Sequence, residues 1–300
     1  MKLLVCSNGS AQAERAVRLC RAVVSCCPSE VTLLGIIEAP GDSKPLLESL
    51  QRGQALLGDK GIPAELITKA GLPIPEIIKC TRETHYDLVV IGTVRKATEG
   101  RFWMPSKAYR IIKEITPPVL LVSGGASLEK ALLCTGGRHY IDPAVRLTGE
   151  LARCAGARVT LLHVVPRPPA IYATLPRMKE SAARLLESSS ELGRNLRRQK
   201  ETLDSLKVAA QVRLRRGSVV DEILREIDEG GYDLVVTGSS LSRGLRTYVL
   251  GDVSREIVNR ANCSVLVARS QPPPGEPSSG LRAWLGGLGR RSPGRLSLLS

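Results

Sequence analysis

Short apolar runs and amphipathic stretches alternate along the chain, and their order occurs twice. Tyr86–Gly92 reads YDLVVIG, and Tyr232–Gly238 reads YDLVVTG, 146 positions later. Nearer the N-terminus, Val31–Ile37 (VTLLGII) returns as Val159–Val165 (VTLLHVV), at an offset of 128. Self-similarity over such a distance indicates two copies of one domain rather than a solenoid. Because the offset grows by 18 residues between these blocks, the second copy contains an insertion.

Each copy is predicted to alternate strands with helices. Continuous β-branched runs are typical of strands buried on both faces, and apolar residues three and four apart indicate helices between them. This alternation predicts βαβ units and therefore a parallel sheet. The predicted strands are Lys2–Val5, Val31–Ile37, Ala64–Thr68, Asp87–Ile91 and Val119–Val122 in copy one, and Ala131–Thr135, Val159–Val165, Ala209–Leu214, Leu234–Thr237 and Val265–Ala268 in copy two.

The insertion lengthens the helical segment after the second strand of copy two. One helix is predicted there, from about Thr174 to Leu206. Four leucines recur along it at helical spacing, and we interpret them as a stripe that faces the core rather than a surface for a partner helix. They are Leu185, Leu192, Leu196 and Leu203.

The predicted domains are residues 1–125 and 128–270, and residues 271–300 form a predicted disordered basic tail. The tail opens with QPPPGEPSSG and continues rich in Gly, Arg, Ser and Leu, a composition that cannot build a core. Hydrophobic residues make up 43% of the 300 residues, which suffices for two cores. Aromatic residues make up only 3%, which argues against a surface that stacks nucleic-acid bases.

The net charge of +14 favours contact with anions. Basic residues are dense at Arg194–Lys200 and at Arg213–Arg216. Because charge by itself speaks to association rather than to a site, we interpret this excess as a solvated basic surface.

The eight cysteines contain no CxxC and no repeated pairing pattern, so we expect a reduced, cytoplasmic protein. Cys6, Cys134 and Cys263 stand in or beside apolar runs, where a thiol acts as a small hydrophobe. None of the three histidines has metal-ligand spacing to a cysteine pair, and no zinc site is expected. A signal-peptide pattern and an apolar stretch of about 18 residues are both lacking, so no membrane contact is expected.

Both copies resemble domains of the universal stress protein (UspA) family, and the chain resembles a tandem member. The resemblance covers about residues 1–125 and 128–270. It rests on the opening strand with its polar turn (LLVCSNGS), the start of the third helix at Gly217–Ile223, the two YDLVV strands and the closing VLLV-type strand. It implies an α/β fold class: two doubly wound, five-stranded parallel sheets, Rossmann-like and similar to adenine nucleotide alpha hydrolases. It also implies that the two domains pair through their last strands.

Family members that bind ATP carry Gly-x-x-Gly, nine residues and Gly-[Ser/Thr] after the fourth strand, with an Asp in the first turn. Copy two keeps the spacing, but Leu241 replaces a glycine and Asp252 replaces the hydroxyl residue. Two like charges ~4 Å apart cost about 4 kcal/mol at an effective dielectric constant of ~20, unless Mg²⁺ or an arginine intervenes. Asn8 and Gly136 stand where the Asp would be. Both sites are therefore expected to be degenerate.

The resemblance implies which residues would hold a nucleotide such as ATP with Mg²⁺. A Gly/Ser turn at the carboxyl end of a strand can cradle phosphate, although plain connecting loops have the same composition. In copy two these residues are Thr135, Gly136, Val164, Gly238, Ser239, Ser240, Arg243 and Gly251. Their equivalents in copy one, Ser7, Asn8, Gly92, Thr93 and Ser106, are expected to be inactive.

The favoured hypothesis is a regulatory or interaction module without enzymatic activity, in which nucleotide binding is weak or lost. No P-loop and no Gly-x-Ser-x-Gly elbow is present, and Asp233 is interpreted as a structural cap rather than a base. The alternatives are an ATP-binding stress sensor that uses domain 2 only, and a basic-surface protein associated with nucleic acid. The expected partners are the two domains for each other, a second copy in a homodimer and another protein; nucleic acid is not the expected partner.

Overall fold

The computed structural model describes residues 1–38, 43–93, 106–137, 141–166, 181–241 and 248–270, with the backbone alone at 106, 107, 240, 241, 248, 249 and 270. Strands and helices alternate in both halves, which confirms the α/β class. The first half contains β1 (Lys2–Ser7), α1 (Ala11–Val24), β2 (Glu30–Ile37), α2 (Lys44–Gly58), β3 (Ala64–Ala70), α3 (Pro73–Glu83), β4 (Leu88–Gly92), α4 (Ser106–Glu114) and β5 (Val119–Val122). The second contains β6 (Lys130–Cys134), α5 (Asp142–Ala155), β7 (Arg158–Pro166), α6 (Ala182–Glu187), α7 (Glu191–Ser205), β8 (Ala210–Gly217), α8 (Val219–Gly230), β9 (Leu234–Leu241), β10 (Tyr248–Val249), α9 (Asp252–Arg260) and β11 (Ser264–Ser270).

The described strands form one continuous sheet. Its order is β3-β2-β1-β4-β5-β11-β9-β6-β7-β8, with the short β10 attached to β9. Strands β1–β5 are mutually parallel, and so are β6, β7, β8, β9 and β11. The halves join where β5 and β11 pair antiparallel. The predicted pairing through the last strands is therefore confirmed.

A pseudo-twofold axis passes through this junction. Leu120 lies opposite Leu266, and Leu266 stands 146 positions after Leu120, at the equivalent place in the second copy. A residue that faces its own equivalent lies at the axis, as in the isologous interface of a homodimer. The chain thus builds a dimer-like interface within itself.

Two aliphatic cores cover the two faces of the sheet, and each core extends through both halves. One contains apolar side chains of α1, α2, α5 and α7, and the other contains those of α3, α4, α8 and α9. Fully buried leucines such as Leu3, Leu33 and Leu133 fill the sheet side of the first core. Helices α1 and α5, which occupy equivalent places in the repeat, contact each other across the axis.

Aspartates hold the amino-terminal edge of both half-sheets. The backbone N–H of Lys2 donates to Asp87 over 2.7 Å. In the second half, Glu129 and Lys130 donate to Asp233 over 2.8 and 3.0 Å. The interpretation of Asp233 as a structural cap is confirmed.

The single helix predicted up to Leu206 is wrong, because its described part is broken in two. Helix α6 ends at Glu187, and Ser190 caps the start of α7 by accepting the Gly193 N–H over 3.0 Å. Serine competes for backbone groups in this way and favours caps over helix interiors. The core-facing stripe is confirmed for Leu185, Leu196 and Leu203, which are buried, whereas Leu192 is half-buried.

The expectation of a fully reduced protein is also wrong in this structure, because Cys26 and Cys154 are disulfide-bonded. Their separation is 128 residues, the offset of the repeat in this region, so they are equivalent positions that meet near the axis. Of the thiols predicted to act as small hydrophobes, Cys6 and Cys263 are buried, and burial raises the pKa values of Cys6 and Cys134. Burial also raises the pKa of Cys20 to about 12.

No helix among the described residues is both long enough and apolar enough to cross a membrane.

Arg269 connects the second half to the first. Its guanidinium donates to the carbonyls of Ile112, Ile115, Thr116 and Pro117 over 2.8 to 3.2 Å. These carbonyls belong to the last turn of α4 and to the three residues after it, where a cation also interacts favourably with the helix dipole. One buried side chain of β11 therefore satisfies the carboxyl end of a helix in the other domain.

We predict that Arg269→Met destabilises the protein by about 3 kcal/mol, because the buried carbonyls lose several charge-assisted hydrogen bonds. Urea denaturation followed by circular dichroism measures the change in the free energy of unfolding. Arg255→Met is the control, since the exposed ion pair of Arg255 with Asp252 contributes less than ~1 kcal/mol. Equal effects of the two substitutions would contradict the assigned role of Arg269.

Candidate functional site

The candidate site lies at the carboxyl ends of β6 and β9. These strands are neighbours, and their connections leave toward opposite faces of the sheet. Ligands of open α/β sheets bind at such a switch in strand order. The turn Thr135–Gly137 and the run Gly238–Leu241 stand at this edge, so the topology brings the predicted residues of the two segments to one place.

The Thr135 hydroxyl is occupied by an internal network. It donates to Gln199 over 3.1 Å and accepts the Gly137 N–H over 3.0 Å, and the side chain is buried. Asn195 adds a bond to the Gly137 carbonyl over 2.9 Å, and Nδ1 of His163 lies 2.9 Å from the Thr135 carbonyl. This hydroxyl therefore stabilises the turn and is not presented to a ligand.

The sequence analysis missed Asn195 and Gln199. Both lie on α7 among the residues of the leucine stripe, and both are buried. Their position could have been recognised in the sequence, because they are two polar residues four positions apart on an otherwise apolar helix face.

Three other residues predicted for this site do not contribute to it in the described structure. Gly136 is exposed and has no side chain to contact adenosine, and Val164 is buried in a core. Arg243 lies outside the described residues.

The first copy repeats this turn with different contacts. Ser7 accepts the Gly9 N–H over 3.2 Å, and the exposed Asn8 accepts the Ser10 N–H over 3.2 Å. A Cβ on Gly92 would lie 2.4 Å from the Gln12 carbonyl oxygen, so that glycine is required for close packing against α1. Thr93 donates to the Val122 carbonyl over 3.3 Å, and the backbone of Ser106 begins α4.

The predicted phosphate turn after Thr237 is wrong, because β9 continues through Gly238, Ser239 and Ser240 to Leu241. This run lies in register with β11 as far as Ser270, and Ser240 and Leu241 also pair with β10. Strands therefore flank Ser240 on both edges. Backbone N–H groups that would cradle phosphate in an open turn instead lie in the sheet.

Ser239 has a structural role at the domain junction. Its hydroxyl donates to the Ala268 carbonyl over 3.1 Å and accepts from Nη1 of Arg269 over 2.9 Å. The side chain is buried, so it helps to position the arginine that caps α4. Ser239 was predicted to bind a nucleotide because of its place in the motif, but its hydroxyl points to the junction between the domains.

Helix α9 begins beside this edge, with Gly251 as its N-cap and Asp252 in its first turn. The Asp252 side chain is 90% exposed and bonds Arg255 over 2.6 Å. In water the repulsion between two charges ~4 Å apart falls to about 1 kcal/mol, and Arg255 offsets it further. Asp252 is thus a smaller barrier to phosphate than the sequence suggested, although it already complements the helix dipole.

The basic cluster Arg213–Arg216 is largely neutralised. Arg213 and Arg215 both bond Glu226, whose side chain is fully buried. Arg215 also bonds Glu222 and Glu229. The Tyr232 hydroxyl donates to Glu226 over 2.8 Å; burial is the main cause that raises the Tyr232 pKa, and this hydrogen bond adds to it. The interpretation as a simple solvated surface is therefore wrong for Arg215, whereas the Arg213 side chain is paired but remains 44% exposed.

We predict that Glu226→Gln costs about 2–3 kcal/mol of stability, because Arg213 and Arg215 lose charge-assisted hydrogen bonds to a buried carboxylate. Glu229→Gln on the same helix is the matched control: its carboxylate is 56% exposed, and its loss should cost less than ~1 kcal/mol. Urea denaturation of both variants measures the difference. A cost for Glu226→Gln no greater than that of the control would show that the network contributes little.

Comparisons with known proteins agree with this architecture. A model of the universal stress protein family matches residues 1–123 and 128–269. A universal stress protein of Methanothermobacter thermautotrophicus is 27% identical over 143 residues, which cover 47% of this chain and 96% of that protein. The crystal structure of a universal stress protein from Archaeoglobus fulgidus DSM 4304 superposes with a TM-score of 0.63 at 17% identity, covering 89% of this chain and 98% of that one.

One solved universal stress protein, described as a complex with cAMP, covers 47% of this chain and 97% of its own, with a TM-score of 0.34 and 20% identity.

Proposed function

Because the chain belongs to the universal stress protein family, we propose that it is a regulatory or interaction module without enzymatic activity, in which nucleotide binding is weak or lost. The observation that carries this proposal is the extended run Gly238–Leu241. Gly238, Ser239 and Ser240 pair with β11, and Ser240 also pairs with β10, so the backbone N–H of Ser240 faces a strand rather than phosphate.

Side-chain chemistry supports the same conclusion. The hydroxyls of Thr135 and Ser239, two of the four predicted side-chain donors of copy two, bond protein groups and are buried. A ligand would have to break these bonds, and each buried hydroxyl left unsatisfied costs about 1–3 kcal/mol. Gly136 offers no side chain in place of the Asp that ATP-binding members carry.

We expect that 1 mM MgATP leaves the melting temperature of the purified chain unchanged within one degree. A ligand present at ~100 times its dissociation constant stabilises by about 2.7 kcal/mol, which corresponds to a rise of several degrees. Differential scanning fluorimetry with MgATP, and with cAMP as a second ligand, makes the measurement.

Gly251→Val is the matched site variant for the same assay. A clear rise with wild type that this variant abolishes would overturn the proposal and favour an ATP sensor that uses domain 2. A rise that persists in the variant would place nucleotide elsewhere, and it would equally contradict lost binding. Magnesium alone is the blank.

The nucleic-acid alternative loses part of its support, because Arg213 and Arg215 are committed to carboxylates of α8. Other basic residues are also paired: Arg198 bonds Asp142 and Lys200 bonds Asp204. We therefore expect fluorescence anisotropy with a labelled DNA duplex to show no binding tighter than ~10 µM at physiological salt. Tighter binding with a steep salt dependence would favour that alternative instead.

A further inference from the structure

Three cysteines meet where α1 and α5 end beside the pseudo-twofold axis. Cys26 and Cys154 form the disulfide between the domains, and the Cys27 sulfur lies 3.1 Å from that of Cys154 and 3.8 Å from that of Cys26. All three sulfur atoms lie within 4.8 Å of one another. A third thiol in contact with a disulfide is the arrangement that thiol–disulfide exchange requires.

We propose that Cys26, Cys27 and Cys154 form a thiol–disulfide exchange site, which reacts with low-molecular-weight disulfides and links the two domains covalently when oxidised. The neighbouring cation supports a reactive thiol: Nη2 of Arg153 lies 3.0 Å from the Cys27 sulfur. A guanidinium at this distance stabilises a thiolate, which is the nucleophile in exchange.

The cluster is accessible to solvent, unlike four of the other five thiols in the described residues, which are buried. Cys26 is exposed and Cys27 and Cys154 are half-buried, whereas Cys20 and Cys80 are buried. A cleft of about 700 Å³ is lined by Cys26 and Cys27 and also by Lys2 and Lys60. Its volume suits a small ligand, and its charge is mixed, because Glu30 and Asp87 also line it and Glu30 pairs with Lys2 over 3.9 Å.

The chemistry balances with glutathione disulfide as oxidant. The Cys27 thiolate attacks one sulfur of glutathione disulfide, and one glutathione thiolate leaves. The Cys154 thiolate then attacks the Cys27 sulfur of the mixed disulfide and releases the second glutathione. Finally the Cys26 thiolate attacks Cys154, which forms the Cys26–Cys154 bond and frees Cys27. Two protein thiols are oxidised, one external disulfide is reduced, and both thiol protons pass to the two glutathione thiolates.

The test uses the full chain, reduced with dithiothreitol and then exposed to glutathione disulfide. Free thiols are blocked at timed intervals, and peptides are mapped by mass spectrometry without reduction. We expect an interdomain bond to Cys154 in the wild type and in both Cys26→Ser and Cys27→Ser. Cys26→Ser should use Cys27 for this bond. Cys154→Ser should form none and should carry glutathione instead.

Rate and stability provide independent readouts. Cys27→Ser should form the bond about three- to tenfold more slowly, and Arg153→Gln should slow the wild type but not Cys27→Ser. Oxidation should raise the melting temperature by several degrees, since it closes a loop between the domains, and Cys154→Ser should lack this rise. Cys20→Ala, on α1 and outside the cluster, is the control and should form the interdomain bond at the wild-type rate.

Three outcomes would overturn the proposal. The first is the absence of a Cys27–Cys154 bond in oxidised Cys26→Ser that still has the wild-type circular dichroism spectrum. The second is an unchanged rate in Cys27→Ser. The third is tight binding of one Zn²⁺ per reduced chain that blocks oxidation and is lost in each serine variant, which would make the cluster a metal site.

Discussion

The antiparallel pairing of β5 with β11 is the interaction on which the rest of the structure depends. It joins two parallel half-sheets edge to edge, so that each covers the strand the other would leave open to solvent. Because Leu120 faces its equivalent Leu266, the pairing also sets a pseudo-twofold axis. Both cores extend across that axis, Arg269 reaches the end of α4, and α1 meets α5. Each of these contacts requires the halves to be held in this register.

Within this symmetric frame, equivalent positions have acquired different chemistry. Arg269 and Ser123 are equivalent, and they donate to the equivalent carbonyls of Pro117 and Cys263. The arginine also satisfies α4, whereas the serine exchanges bonds with Ser264 across the junction. Likewise, Tyr86 contacts the sulfur of Cys80, whereas Tyr232 bonds the buried carboxylate of Glu226. In the second domain this carboxylate also pairs with Arg213 and Arg215, whereas Cys80, at the equivalent position of the first domain, is not an acid.

The domain junction and the candidate nucleotide site are physically connected. Gly238–Leu241 extends the sheet because β11 continues beside it to Ser270, and the Ser239 hydroxyl binds the arginine that secures the junction. Ser239, which the motif predicts to bind a nucleotide, instead contributes to the contact between the domains. This structural role of Ser239 is consistent with the proposed interaction module, in which nucleotide binding is weak or lost.

The sequence by itself determined the strands, the parallel sheets, the repeat and the cap at Asp233, because burial on both faces and turn chemistry leave local patterns in each segment. Only the tertiary structure decided that Gly238–Leu241 is a strand, that Glu226 binds Arg213 and Arg215, and that Cys26 bonds Cys154. The cysteines share an offset of 128 with the repeat, yet that spacing shows equivalence and not proximity. Whether equivalent residues touch depends on where the axis lies, and the axis is set by pairing between segments far apart in the chain.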